Sequence, residues 1–356
     1  MPQTPLLARH EAAGAHLVEE AGWRMPAHFG DPGEEHRACR AGAVLIDLSH
    51  RGKLRFSGSD AAEFLHGMLS NRVSDLAAGE GSYSTFLTRQ GKIVSDLTLY
   101  RTEEDIAADL PPGMAPRLAE ALDAYIIMEQ IEVEDRTESL AALGAFGPGA
   151  RAGLAAAGLE VPGLPEHGHI ERKGVRIARE LWTGEEGYLL TTPAGEAEGL
   201  WDALAGAGLR PAGLAAFETL SLEAGVPLYG KDMSEAVNPM QAGLELRAID
   251  FEKGCYLGQE VVAKIKYLGQ VNRGLVGIRI EGDAVPEGNA KVLFGEEEVG
   301  ALTRAALSPT EGKVLALAYL HRRAMAPGTK VGVRLGEAEA AGEVVALPFY
   351  GGGEAS

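Results

Sequence analysis

Apolar residues recur at helical spacing near the start of the chain, at Leu6, Leu7, Ala13, Ala15, Leu17, Val18 and Ala21, and Gly22 then closes the pattern. That predicts a helix over residues 6–23 with a glycine at its C-terminal end. Pro26 disfavours helix at Met25, so the chain leaves this helix extended. Residues 44–48 form a short apolar run bounded by Gly42 and Ser49, and residues 53–56 alternate as a half-buried strand does. Ser59, followed by Asp60 and Glu63, predicts an N-capped helix running to about residue 69. Residues 83–87 and 93–100 predict two strands, joined by a hairpin loop over residues 88–92 that contains Gly91. Helices are predicted over 115–127, 200–207 and 214–224, and strands over 131–134, 174–181 and 188–191. The Ala- and Gly-rich residues 140–159 predict a short helix.

After Gln270 the pattern shortens. Residues 275–280, 291–294, 298–304, 313–320, 330–334 and 338–346 read as short strands separated by Gly and Pro. This spacing predicts a small antiparallel barrel or sandwich. Strands and helices upstream mix through hairpins rather than regular crossovers, which favours the α+β class over a doubly wound sheet. The expected organisation is a region over 1–270 with two subdomains split somewhere in 140–170, a C-terminal β-barrel over 271–350, and a loose tail over 351–356.

The 356 residues are enough for two or three ordinary domains, and 46% hydrophobic with 24% charged residues is the composition of a soluble globular protein. No window approaches about eighteen apolar residues, and the N-terminus lacks a basic start with an apolar run, so neither a membrane span nor a secretory signal is expected. Cys39 and Cys255 are the only cysteines, and with no export signal they are expected as reduced thiols in a cytoplasm. A formal charge of −18 argues against broad nucleic-acid binding. Lys253, Lys264, Lys266 and Arg273 form a local basic cluster, either a solvated helix face or an anion site. Phosphate-loop, dinucleotide, Cys-x-x-Cys and His-Glu-x-x-His motifs are absent, and no metal centre is expected.

Two places carry candidate chemistry. In Asp250-Phe251-Glu252-Lys253-Gly254-Cys255-Tyr256-Leu257-Gly258-Gln259-Glu260, a thiol follows a lysine and precedes a predicted helix N-terminus. That arrangement favours the thiolate. The alternative is that Cys255 is a small buried hydrophobe. Asp96 interrupts a strand otherwise made of Ile93, Val94, Leu97, Leu99 and Tyr100. It is either a pocket-facing carboxylate or an outward-facing strand residue, on the face of Thr98 and Tyr100.

The stretches Gly22-Trp23, Met25-Pro26, Glu35-His36 and Asp47-Leu48-Ser49-His50 resemble the opening of the glycine cleavage system T protein, the aminomethyltransferase family. Thr183-Gly184-Glu185-Glu186-Gly187 and Leu222-Glu223-Ala224-Gly225-Val226-Pro227-Leu228-Tyr229-Gly230 resemble later parts of it. The resemblance implies a folate-binding, aminomethyltransferase-like fold closed by a C-terminal antiparallel β-barrel. Lys253-Gly254-Cys255-Tyr256-Leu257-Gly258-Gln259-Glu260 is similar to the motif of the YgfZ branch of that superfamily, folate-binding proteins tied to iron–sulfur cluster maturation and tRNA modification.

From that branch follow the functional expectations: tetrahydrofolate or a one-carbon derivative as cofactor, and iron–sulfur client enzymes or assembly proteins as partners. Cys255, Lys253 and Asp96 are the expected catalytic residues. Asn71, Tyr83, Asp96 and Tyr188 are expected to line the folate pocket. Transferases have paired aspartates where this chain has Ser95 and Asp96. They hold the pterin with a glutamate and an arginine at the places occupied here by Leu189 and Phe217. These departures argue against aminomethyl transfer, because an unpaired buried polar edge costs about 1–3 kcal/mol. The alternatives are an aminomethyltransferase of the glycine cleavage system and a folate-free interaction module.

Overall fold

A computed structural model describes residues 2–269 and 271–351; of the predicted loose tail, residues 352–356 lie outside the described residues. The first departure from expectation comes at once. The helix predicted over 6–23 is only Leu7–Ala12, followed by the antiparallel strands His16–Glu20 and Trp23–His28. Ala21 and Gly22 both have positive φ, 49° and 81°. Two successive positive φ values make the tight hairpin turn that matches strand twist. Gly22 therefore turns a hairpin and does not end a helix.

Two sheets and a barrel organise the rest. A five-stranded antiparallel sheet runs in the order Gly81–Leu87, Ile93–Arg101, Ile106–Leu110, Gly52–Ser57, Glu132–Asp135. Helices Ala61–Met68 and Met114–Asp123 cover one face, where Leu97 and Leu99 meet Leu65 and Leu118. A six-stranded sheet runs His169–Arg172, Val175–Arg179, Gly187–Pro193, Leu140–Phe146, Val44–Asp47, Arg210–Ala212, with only the last pair parallel. Its two faces carry separate cores. One includes Leu45, Tyr188, Leu190 and Trp201; the other includes Ile46, Leu189, Trp182 and Phe217. Covering on both faces explains a second difference. Residues 140–146, ahead of the short helix expected within 140–159, are a buried strand that was not predicted, because a strand apolar on both sides loses the alternation that would reveal it. The short helix follows as Ala150–Ala156.

The six strands predicted after residue 270 close into an antiparallel barrel in the order Arg273–Ile280, Lys313–His321, Glu297–Ser308, Lys291–Phe294, Lys330–Leu335, Ala338–Val345. Closure leaves no free edge for intermolecular strand pairing. Alternate positions such as Ile278, Val292, Leu302 and Ala316 fill its interior. The α+β class with a C-terminal barrel is therefore the observed fold. Among the described residues no helix is long and apolar enough to cross a membrane.

Candidate functional site

Strand alternation decides which way Asp96 faces. In the hairpin of Gly81–Leu87 with Ile93–Arg101, Tyr83 pairs with Thr98 and Thr85 with Asp96. Leu97 and Leu99 point into the helical core, so Tyr83, Asp96 and Thr98 share the other face. That face looks into a cleft enclosing about 910 Å³, its open mouth included. Tyr83 donates its hydroxyl proton to Asp96 Oδ2 at 2.9 Å. Asp96 Oδ1 is buried with no hydrogen-bond partner. Burial pushes the Asp96 carboxyl above its ordinary range, against the bond from Tyr83 and the field of Arg51. Burial also raises the Tyr83 hydroxyl, and the Asp96 charge adds to it.

The walls are apolar and aromatic. Trp182 and Phe217 meet edge to face at 6.1 Å, with Leu48 and Leu214 alongside. Arg51 grips Asp109 with contacts of 2.5–3.1 Å and lies 4.5 Å from the Trp182 ring centre. Its charge is thereby neutralised beside the cleft while its plane stacks on the indole. His50 lines the same cleft with Nδ1 buried and unpartnered. Burial pushes its pKa down to about 3, so its imidazole is neutral at physiological pH. Charged groups around the cleft come in pairs: Lys231 with Glu218, Arg247 with Glu166 at 3.2 Å, and the more deeply buried His167 with Glu180 at 3.1 Å. Burial disfavours the His167 cation, yet the Glu180 carboxylate outweighs it and the imidazole pKa is raised.

Of the residues expected from sequence, Asp96, Tyr83 and Phe217 come together in this cleft. Asn71 stands behind it, donating to the Tyr83 carbonyl at 2.9 Å and to the Arg247 carbonyl at 3.2 Å. Tyr188 lies on the far face of the six-stranded sheet, bonded to Glu186 and Arg151. Leu189 is buried behind the Trp182–Phe217 wall without lining the cleft. Lys253 donates to the carbonyls of His66, Leu69 and Asn71 at 2.5–3.0 Å. It thus caps the carbonyl end of Ala61–Met68. Burial pushes its ammonium down to about 8.

Cys255 is exposed and does not line the cleft. The buried-hydrophobe alternative applies instead to Cys39, whose thiol is raised to about 12, chiefly by burial. Gly258, three residues after Cys255, has φ +82° and would place a Cβ 2.6 Å from the Thr88 carbonyl. Only glycine meets both demands. The stretch 253–260 is therefore bound to residues 66–71 and to the 88–91 loop, while the cleft opens elsewhere. Sequence reasoning missed Arg51, Trp182, Arg247 and Lys231. Arg51, Trp182 and Lys231 each adjoin one of the family-like stretches, which was the available signal.

The GCVT N-terminal domain family matches residues 6–253, and the glycine cleavage T-protein C-terminal barrel domain family matches residues 273–351. The chain is 38% identical to an aminomethyltransferase of Streptomyces coelicolor, over 98% of this chain and 97% of the relative. It is 36% identical to one of Saccharopolyspora erythraea, over 98% of each. The crystal structure of glycine cleavage system aminomethyltransferase T from Bartonella henselae superposes with a TM-score of 0.92 at 30% identity, covering 98% of both chains. These full-length relatives carry the aminomethyltransferase name. They overturn the expectation, drawn from residues 253–260, of a role in iron–sulfur assembly and tRNA modification. The expected iron–sulfur client partners fall with it.

Proposed function

The chain belongs to the glycine cleavage T-protein family, and on that premise we propose that it is an aminomethyltransferase acting on tetrahydrofolate in the cleft around Asp96. The observation that carries this reading is the full-length match to aminomethyltransferases, at 38% identity over 98% of the chain. Residues 1–270 would hold the cleft, with 271–350 as its supporting barrel.

The cleft suits a flat heterocycle with a polar edge. Trp182 and Phe217 offer ring faces, and Asp96 Oδ1 is an acceptor with nothing yet to accept. Leu189 and Phe217, in place of the transferases' polar anchors, both belong to one apolar cluster. The pterin edge that those anchors would pair must find other partners, since an unpaired buried polar edge costs about 1–3 kcal/mol. Affinity then rests on stacking and on Asp96.

In the transfer, the two tetrahydrofolate nitrogens bond to the methylene carbon as its bonds to the carrier sulfur and to the amine break, and their two protons leave with thiol and ammonia. Asp96 supplies the group that holds a proton in transit. A carboxyl with raised proton affinity works nearer neutral pH than an ordinary one. The Tyr83 bond fixes Oδ2 and so aims the carboxyl. His50, Trp182 and Phe217 line the same cleft and would limit water around the bound ligand. The partner in this reading is a carrier protein bearing an aminomethyl-lipoyl arm.

The test is to mix the purified chain with an aminomethyl-loaded lipoyl carrier and tetrahydrofolate. Ammonia and methylene-tetrahydrofolate should appear in equal amounts. Tetrahydrofolate binding without either product would reject the transferase.

A further inference from the structure

A buried cluster on the barrel reaches the cleft wall from behind. Strand Glu297–Ser308 carries a bulge: Leu302 pairs with Ala318 and Arg304 with Leu317, leaving Thr303 extra. A bulge re-aims neighbouring side chains. Here consecutive residues, which would normally face opposite sides, both reach Asp232 outside the barrel. Thr303 donates its hydroxyl proton to Asp232 Oδ1 at 2.6 Å, and Arg304 Nη2 lies 2.8 Å from Asp232 Oδ2. Arg304 Nη1 also donates to the Glu218 carbonyl and to Ser221 Oγ, both at 2.8 Å, and Nη2 to the Val226 carbonyl at 3.1 Å. Asp232 Oδ2 in turn accepts the Leu228 N–H at 2.9 Å. Arg304 is 8% exposed and Asp232 2%.

Every backbone group held this way belongs to the cleft wall. Glu218, Val226 and Leu228 line it directly, as do Pro227, Tyr229 and Lys231 of the same loop. A loop without regular structure is set by such contacts and loosens without them.

We propose that Thr303 and Arg304 are positioning residues through which the barrel sets the ligand affinity of the cleft, by clamping Asp232 and the 226–232 wall. The proposal rests on the reading that the cleft takes tetrahydrofolate, and it assigns the barrel a part in binding beyond closing the fold. Neither residue touches the ligand or the reacting atoms. Loss of the clamp should therefore raise KM and leave kcat nearly alone.

The experiment uses full-length Thr303→Val, Arg304→Met and Arg304→Lys in parallel. Amide exchange of a peptide spanning 226–233 should accelerate about tenfold in Arg304→Met, with the barrel strand 313–321 as protected as before. Tetrahydrofolate Kd by calorimetry should rise roughly tenfold, with kcat within about threefold of the parent. Arg304→Lys keeps the charge against Asp232 but loses the fork to two carbonyls, so it should fall between. Thr303→Val removes only the hydroxyl bond to Asp232 and should raise exchange at 226–233 and Kd in the same direction by less, which tests the clamp even where Arg304→Met does not fold. Unchanged exchange at 226–233, or faster exchange with unchanged Kd, would overturn the proposal. A parent chain that binds no tetrahydrofolate refutes the ligand and the affinity role together, while the exchange comparison still decides whether the clamp exists.

Discussion

Asp96 and Lys253 are both ionisable groups whose charged forms burial disfavours, and the fold treats them in opposite ways. Asp96 keeps one bond, from Tyr83, and leaves Oδ1 buried and unpartnered. Lys253 has three carbonyls for its three protons. A group with all its hydrogen bonds made inside the protein has nothing left for a substrate. A buried group left short of partners costs stability and persists where something else is bound or turned over. In the proposed reading the difference gives Lys253 to the frame and Asp96 to the chemistry, although sequence made the lysine-cysteine stretch the more conspicuous.

The largest effect that tests the contrast is on stability. Lys253→Met should destabilise the chain by roughly 2 kcal/mol, because it strands carbonyls at the end of Ala61–Met68. Denaturant midpoints would show it, and tetrahydrofolate affinity measured on the folded fraction should hold. A Lys253→Met chain as stable as the parent would remove the structural role.

Next comes His50. Its folded pKa of about 3 lies below the ordinary 6.5. Between those values the unfolded chain binds a proton that the folded chain refuses. Its contribution is therefore fully present above about pH 6.5 and is lost as pH falls toward 3. From pH 7 to 5 the loss should be on the order of 1–2 kcal/mol. His50→Gln should flatten that part of a stability–pH curve; an unchanged slope would mean the histidine is not buried as described.

Asp96→Asn should run the other way. A carboxyl whose folded pKa is raised costs stability once pH exceeds its unfolded value, so a neutral isostere should gain about 1 kcal/mol at pH 7. Thermal melts at pH 7 and pH 4 separate the cases, since the gain should shrink in acid. Smallest of all, Cys255→Ala should change stability by less than about 0.5 kcal/mol, as an exposed side chain away from special geometry does.

Much of the fold was legible because its periodicities are clean. The barrel strands alternate between a filled interior and an outer face, and the Tyr83 and Asp96 hairpin does the same. Residues 140–146 and 16–22 were not legible, for different reasons. The first is apolar on both sides, so no period exists to read. The second depends on Ala21 adopting a positive φ, which alanine does not advertise. For the site, Asp96 was found as an acid out of place in an apolar strand. Tyr188 and Leu189 came from the resemblance, and adjacent residues on a strand must face opposite sides, so at most one could reach any one pocket. Arg51, Arg247 and Lys231 were missed because their roles depend on partners distant in sequence. Residues 253–260 misled because their glycine and lysine are there for packing. Gly258 lets the chain cross Thr88, and Lys253 caps a helix.

The central claim is that the chemistry belongs to Asp96 in the cleft and not to Cys255 on the surface. The most direct measurement is kcat/KM for ammonia release from an aminomethyl-lipoyl carrier with tetrahydrofolate, in Asp96→Asn and Cys255→Ala side by side. Loss of a proton-holding carboxyl should lower it by about a thousandfold in Asp96→Asn, with Cys255→Ala within about twofold of the parent. The reverse order, an active Asp96→Asn beside an inactive Cys255→Ala, would contradict the account.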